Sequence, residues 1–196
     1  FLTRDGDWYY RASPRVIGVY STRPMFTADV ATVDRLISIS NQRFITVRGL
    51  ALEGANAEAL FVDGAGAITV DDCAITEAGT VAIRVNYTSD VSVTNCTIAD
   101  SVNNGIVVSS PRHDNVTIRG NTITRTGMRA GMLRDDASNG EALSVIAQNN
   151  GVIEENTVRR PLITELTSER PGPSQPLQRA LYARRGERRV DRATHR

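Results

Sequence analysis

One apolar pattern returns every 23 residues along the middle of the chain, and a repeat of that length constrains the architecture more than any single residue does. Leu60, Ile83 and Ile106 are spaced 23 and 23, as are Val62, Val85 and Val108. So are Val47, Val70 and Val93, and Leu52, Ile75 and Ile98. A further column runs Leu50, Cys73, Cys96. Self-similarity at a fixed period of this size marks a solenoid, in which each unit buries its inner face against its neighbours.

Inside one unit the apolar residues alternate. Leu60 and Val62 are two apart, as are Ile68 and Val70, and Cys73 and Ile75. Period 2 belongs to strands with one buried face. Turn formers separate them: Asp63-Gly64-Ala65-Gly66, Asp71-Asp72 and Glu77-Ala78-Gly79. Three short strands per unit, stacked about 4.8 Å apart, predict a parallel β-helix. A leucine-rich repeat shares the period, and Val70-x-x-Cys73-x-Ile75 echoes its pattern. Too few residues remain outside the strands for that fold's convex segment. The hexapeptides of left-handed β-helices are absent, which favours a right-handed coil.

The columns continue through Ile118, Asn121 and Ile123, then Leu143 and Val145, then Val152 or Ile153, Asn156 and Val158. At the bend, Cys73 and Cys96 give way to Asn121 and Asn156. An inward Asn there is expected to bond its neighbours up and down the stack. The two cysteines point the same way from adjacent rungs, which suits two buried thiols better than a disulfide.

Residues 37–160 form the expected solenoid. Residues 1–36 differ: Trp8-Tyr9-Tyr10 and Val16-Ile17-Gly18-Val19-Tyr20 flank a loop with Pro14, as in a β-hairpin that caps or leads into the stack. Residues 161–196 hold four of the seven Pro in 161–176 and eight Arg, and are expected to be a largely disordered tail. The chain begins at Phe1, without Met, and is expected to be a fragment. Its net charge of +1 gives no field that would draw nucleic acid, and no 18-residue apolar run exists to span a membrane. No Gly-rich phosphate loop or metal-spaced Cys/His set appears, so neither nucleotide chemistry nor a zinc site is expected.

Three segments carry a family resemblance: Val91-Ser92-Val93-Thr94-Asn95-Cys96-Thr97-Ile98, Val116-Thr117-Ile118-Arg119-Gly120-Asn121-Thr122-Ile123 and Val152-Ile153-Glu154-Glu155-Asn156-Thr157-Val158. With Phe44-Ile45-Thr46-Val47-Arg48-Gly49-Leu50 and Gly6-Asp7-Trp8-Tyr9-Tyr10, they resemble the pectin-lyase-like right-handed parallel β-helix proteins of bacteria over roughly 1–160. That resemblance implies an extracellular or cell-surface protein whose partner is a polysaccharide. Its relatives include lyases, glycoside hydrolases, epimerases and non-catalytic adhesins, so both an enzyme and a glycan-binding module remain open.

Candidate site residues follow from register. Asp71-Asp72-Cys73 looks like a polygalacturonase acid pair, but it occupies the columns of Thr94-Asn95-Cys96 and is read as bend residues. From third strand to next first strand the step is eight residues at Leu52–Leu60, Ile75–Ile83 and Ile98–Ile106, but 20 at Ile123–Leu143, an insertion of 12. Loops inserted on a rigid stack tend to carry function. In and beside this one, Arg134, Asp135, Asp136 and Glu141 are the catalytic candidates, with Arg129 as a substrate contact. A lyase would use an Arg or a bound Ca²⁺ to neutralise a uronate and an acidic side chain as base; no other cofactor is expected. Phe61 and Arg84, neighbours in an outward column beside Asp63 and Asn86, and His113 in a two-residue insertion complete the substrate-binding candidates.

Overall fold

A computed structural model describes residues 5, 8–23, 27, 29–127, 141–159, 166–169, 188, 189, 193 and 194. It divides into two compact units, Phe1–Val30 and Ala31–Arg196. The division falls before the expected boundary at 36/37 because residues 33–36 already bond to the coil. Asn56 N–H donates to Val33 O at 2.9 Å, Ala57 N–H to Asp34 O at 2.9 Å, and Leu36 N–H to Ala59 O at 3.2 Å.

The first unit is an antiparallel hairpin of β1 (Trp8–Arg11) and β2 (Val16–Val19). Tyr9 faces Gly18 across the ladder, and its ring lies where a side chain at 18 would begin: a Cβ there would sit 2.1 Å from Tyr9 Cε1. Only glycine admits the ring so close.

The second unit is a parallel β-helix of three six-stranded sheets. The first sheet stacks β3 (Ile37–Ser40), β6 (Leu60–Asp63), β9 (Ile83–Asn86), β12 (Ile106–Asp114), β15 (Leu143–Asn149) and β18 (Leu166–Glu169). The second stacks β4 (Arg43–Arg48), β7 (Gly66–Asp71), β10 (Ser89–Thr94), β13 (Val116–Arg119), β16 (Val152–Glu154) and β20 (Ala193–Thr194). The third stacks β5 (Ala51–Ala55), β8 (Ala74–Ala78), β11 (Thr97–Ala99), β14 (Thr122–Thr124), β17 (Thr157–Arg159) and β19 (Arg188–Arg189). Leu60 pairs with Ile83, Ile83 with Ile106 and Ile106 with Leu143, in one interior row. Leu60, Ile68, Ile75, Ile83, Ile98, Ile106, Ile118 and Ile123 are fully buried.

Left-handed backbone makes the corners. Gly49, Asp72, Asn95, Gly120 and Glu155, with φ from 53° to 67°, stack between the second and third sheets. Phe44, Ala67, Asp90, Asn115 and Asn150 form a second such column, and Gly54, Glu77, Asp100 and Arg125 a third. One residue in this region costs a side chain-bearing residue about 1–2 kcal/mol, which explains the Asn, Asp and Gly found there.

The inner bend column is a hydrogen-bond ladder. Asn121 Oδ1 accepts from Cys96 N–H at 2.9 Å, and its Nδ2 donates to Val93 O at 2.9 Å and to Asn156 Oδ1 at 2.9 Å. Asn156 Nδ2 donates to Ile118 O at 2.8 Å. One and two rungs earlier the thiols take the amide's place: Cys96 Sγ lies 3.9 Å from Val70 O and Cys73 Sγ 3.7 Å from Val47 O. Both cysteines are free and buried, and burial pushes the Cys96 thiol up to about 11, so it stays protonated at neutral pH.

Three short strands lie in the segment expected from sequence to be a disordered tail. β18 pairs parallel with β15, whereas β19 and β20 pair antiparallel with β17 and β16. Among the described residues no helix is long and apolar enough to cross a membrane.

Candidate functional site

The outer face of the first sheet carries a column running Ser38, Phe61, Arg84, Val107 and Ser144. Alternation points these side chains away from the core because Leu60, Val62, Ile83 and Val85 point in, although Val107 and Ser144 at the far end of the column are themselves buried. Strand pairing then sets Phe61 and Arg84 one rung apart. The 23-residue register sets Arg35 beside Glu58 in the same way.

These four residues meet. Glu58 Oε2 accepts from Arg35 Nε at 3.0 Å, and Glu58 Oε1 lies 3.1 Å from Arg84 Nε. The second contact is a charge contact, since the Arg84 N–H is not aimed at the oxygen. The Arg35 guanidinium covers the Phe61 ring, 3.7 Å from its centroid. Glu58 and Arg84 are mostly buried, with side chains 11% and 15% exposed, whereas Arg35 is 41% exposed. The cluster therefore holds two guanidinium groups and one carboxylate, and its outermost group is cationic. Beside it runs Asp63, then Asn86, whose Oδ1 accepts from Ser109 Oγ at 2.8 Å. Around Phe61 and Arg84 the face can offer a cation, donors and acceptors to a polymer, whereas further along the column Val107 and Ser144 are buried.

The other candidates fall elsewhere. Glu141 is buried, in the column that starts at Glu58 and passes through Val81 and Asn104, as the bonds Ala59 N–H to Val81 O, Ala82 N–H to Asn104 O and Gly105 N–H to Glu141 O show. Three rungs separate Glu141 from Glu58, about 14 Å at the spacing of stacked strands. His113 lies in β12, where its backbone pairs with Gln148 after a shift in register. Arg129, Arg134, Asp135 and Asp136 lie outside the described residues. Among the described residues no three His, Cys, Asp or Glu gather as a metal site would require.

Asp71 and Asp72 do not form an acid pair. Asp72 is a left-handed corner residue, and Asp71 is engaged by Thr94 Oγ1 at 2.6 Å, Asn95 Nδ2 at 2.9 Å and Arg48 Nε at 3.0 Å. These hydrogen bonds, with Arg48 nearby, hold its carboxyl below the usual range. Arg35 and Glu58 were not found by reading apolar columns. The signal was present, since 58 − 35 is the repeat length.

A family model described as "Right handed beta helix region" matches residues 35–161. Comparison with curated proteins and with solved structures returned no match.

Proposed function

Because the chain belongs to the right-handed β-helix family, a fold that serves both polysaccharide-acting enzymes and binders, we propose that it is an extracellular protein that binds an acidic polysaccharide along the outer face of its first sheet. The observation that carries this reading is the meeting of Arg35, Glu58, Phe61 and Arg84 on that face. Arginines anchored by a mostly buried carboxylate are preorganised to take an anionic group without losing much side-chain freedom. The exposed edge of Arg35 is the contact for a uronate carboxylate, with Asp63, Asn86 and Ser109 bonding ring hydroxyls further along.

Titration calorimetry with polygalacturonate, alginate and neutral dextran tests this. Binding to an acidic polymer and not to dextran is expected, with Arg35→Ala weakening it about tenfold, near 1.4 kcal/mol. Equal binding to dextran, or none to either acid polymer, overturns the reading.

The 12-residue insertion between Ile123 and Leu143 favours a second reading, an enzyme of the lyase type. Arg129 or Arg134 would neutralise the uronate, with or without Ca²⁺, and Asp135, Asp136 or Glu141 would take the C5 proton as the glycosidic oxygen leaves C4. The ultraviolet absorbance of the resulting double bond, lost in Arg134→Ala and Asp136→Ala, distinguishes it from binding alone.

A further inference from the structure

Two sealed hydroxyls interrupt a corner that is otherwise lined with methyl groups. After the third sheet bends, successive rungs place Ala55, Ala78, Ser101 and Thr126 in one column: Ala55 pairs with Ala78, Val102 N–H donates to Ala78 O at 2.9 Å, and Gly127 N–H donates to Ser101 O at 3.1 Å. All four are buried, the last two completely. Asn103, also buried, follows in the same turn, and its N–H donates to Thr80 O at 2.9 Å on the rung above. Ser101 Oγ, Thr126 Oγ1, Asn103 Oδ1 and Thr80 Oγ1 are shut off from the surface, and none has a hydrogen-bond partner among the described residues.

The chemistry of the set selects its occupant. Three hydroxyls donate and accept, and one amide oxygen accepts. No carboxylate belongs to the set, so a cation would bring unbalanced charge into a buried space. An apolar ligand would leave every oxygen unbonded. Adjacent rungs are about 4.8 Å apart, a gap that one water bonded to a hydroxyl on each can span.

We propose that this corner is an internal water site, in which ordered water bonds Ser101 and Thr126 to Asn103 and Thr80 and joins the third and fourth rungs where methyl groups join the first and second. In sequence, the site lies directly before the 12-residue insertion.

The test uses the full chain. Ser101→Ala restores the side chain of Ala55 and Ala78, and Thr126→Val keeps the shape of Thr126. A hydrated corner loses bonds on these changes, and the double variant is expected to unfold about 4–8 °C lower, at roughly 2–4 °C for each lost interaction. A Tm that is unchanged or raised means the oxygens were dry and overturns the proposal. Water-proton relaxation dispersion on the wild-type chain decides independently of whether the variants fold: a long-lived internal water component supports the site, and its absence overturns it. A rise in wild-type Tm on adding Ca²⁺ or K⁺ that disappears in the double variant assigns the corner to a cation and also overturns it.

Discussion

Asn121 occupies a space closed to solvent and still satisfies both of its amide atoms, taking Cys96 N–H and giving to Val93 O on the preceding rung and giving to Asn156 Oδ1 on the following one. Asn121→Ala would leave a buried N–H and a buried carbonyl without partners, at about 1–3 kcal/mol each. The expected loss is roughly 2–5 kcal/mol, read as a lower urea midpoint with an unchanged m-value. Asn121→Cys should cost less, because the chain itself places a thiol against the equivalent carbonyl at Cys73 and Cys96. If Ala and Cys prove equally damaging, the amide ladder is not what holds this bend. The ladder was legible from sequence because Asn recurs at a fixed position among aliphatic columns. Arg35 and Glu58 were harder to see, because apolar periodicity carries no information about which exposed charges face each other.

The corners between sheets are held by ionic contacts that titrate. Asp100 and Arg125 are both left-handed corner residues on adjacent rungs; Arg125 Nε donates to Asp100 Oδ1 at 2.6 Å, and this bond holds the carboxyl below its ordinary value. Asp71 is lowered in the same direction by Thr94 and Asn95, with Arg48 adding charge. A carboxyl whose folded value lies below its unfolded one adds stability that is complete above the unfolded value, near 3.9, and is lost as pH falls through the folded value. Thermal unfolding followed from pH 5 to pH 2 should therefore steepen below about pH 4. That acid limb should be shallower in Asp100→Asn and Asp71→Asn than in the parent; identical limbs would show that these pairs are too well solvated to matter. The strands themselves were readable, since Val, Ile and Thr alternate within each. Twelve of the residues between Gly127 and Glu141 have no counterpart in neighbouring units, so the period says how long that insertion is and nothing about its shape.

A stack in which each coil touches only its neighbours should open from its ends. Burial already follows that order. Ile39, Val47 and Leu52 in the first rung remain 7%, 7% and 9% exposed, whereas Val62, Val70 and Ile75 in the next are at 0%. Hydrogen exchange measured by mass spectrometry should protect peptides covering 60–75 and 83–98 longest, and those covering 37–52 least among the first three coils. Uniform protection would mean that the coil unfolds as one block. The whole-molecule architecture was the most legible feature, because every unit repeats the same constraint and the repeats corroborate one another.

Pairing of Leu143 with Ile106 resumes as though nothing intervened between Thr126 and Glu141. The junction after the third sheet thus decouples contour length from pitch: the coil is indexed by its anchors and not by the number of residues between them. A foreign peptide spliced there would be displayed from a fixed pair of posts while the layers above and below kept their alignment.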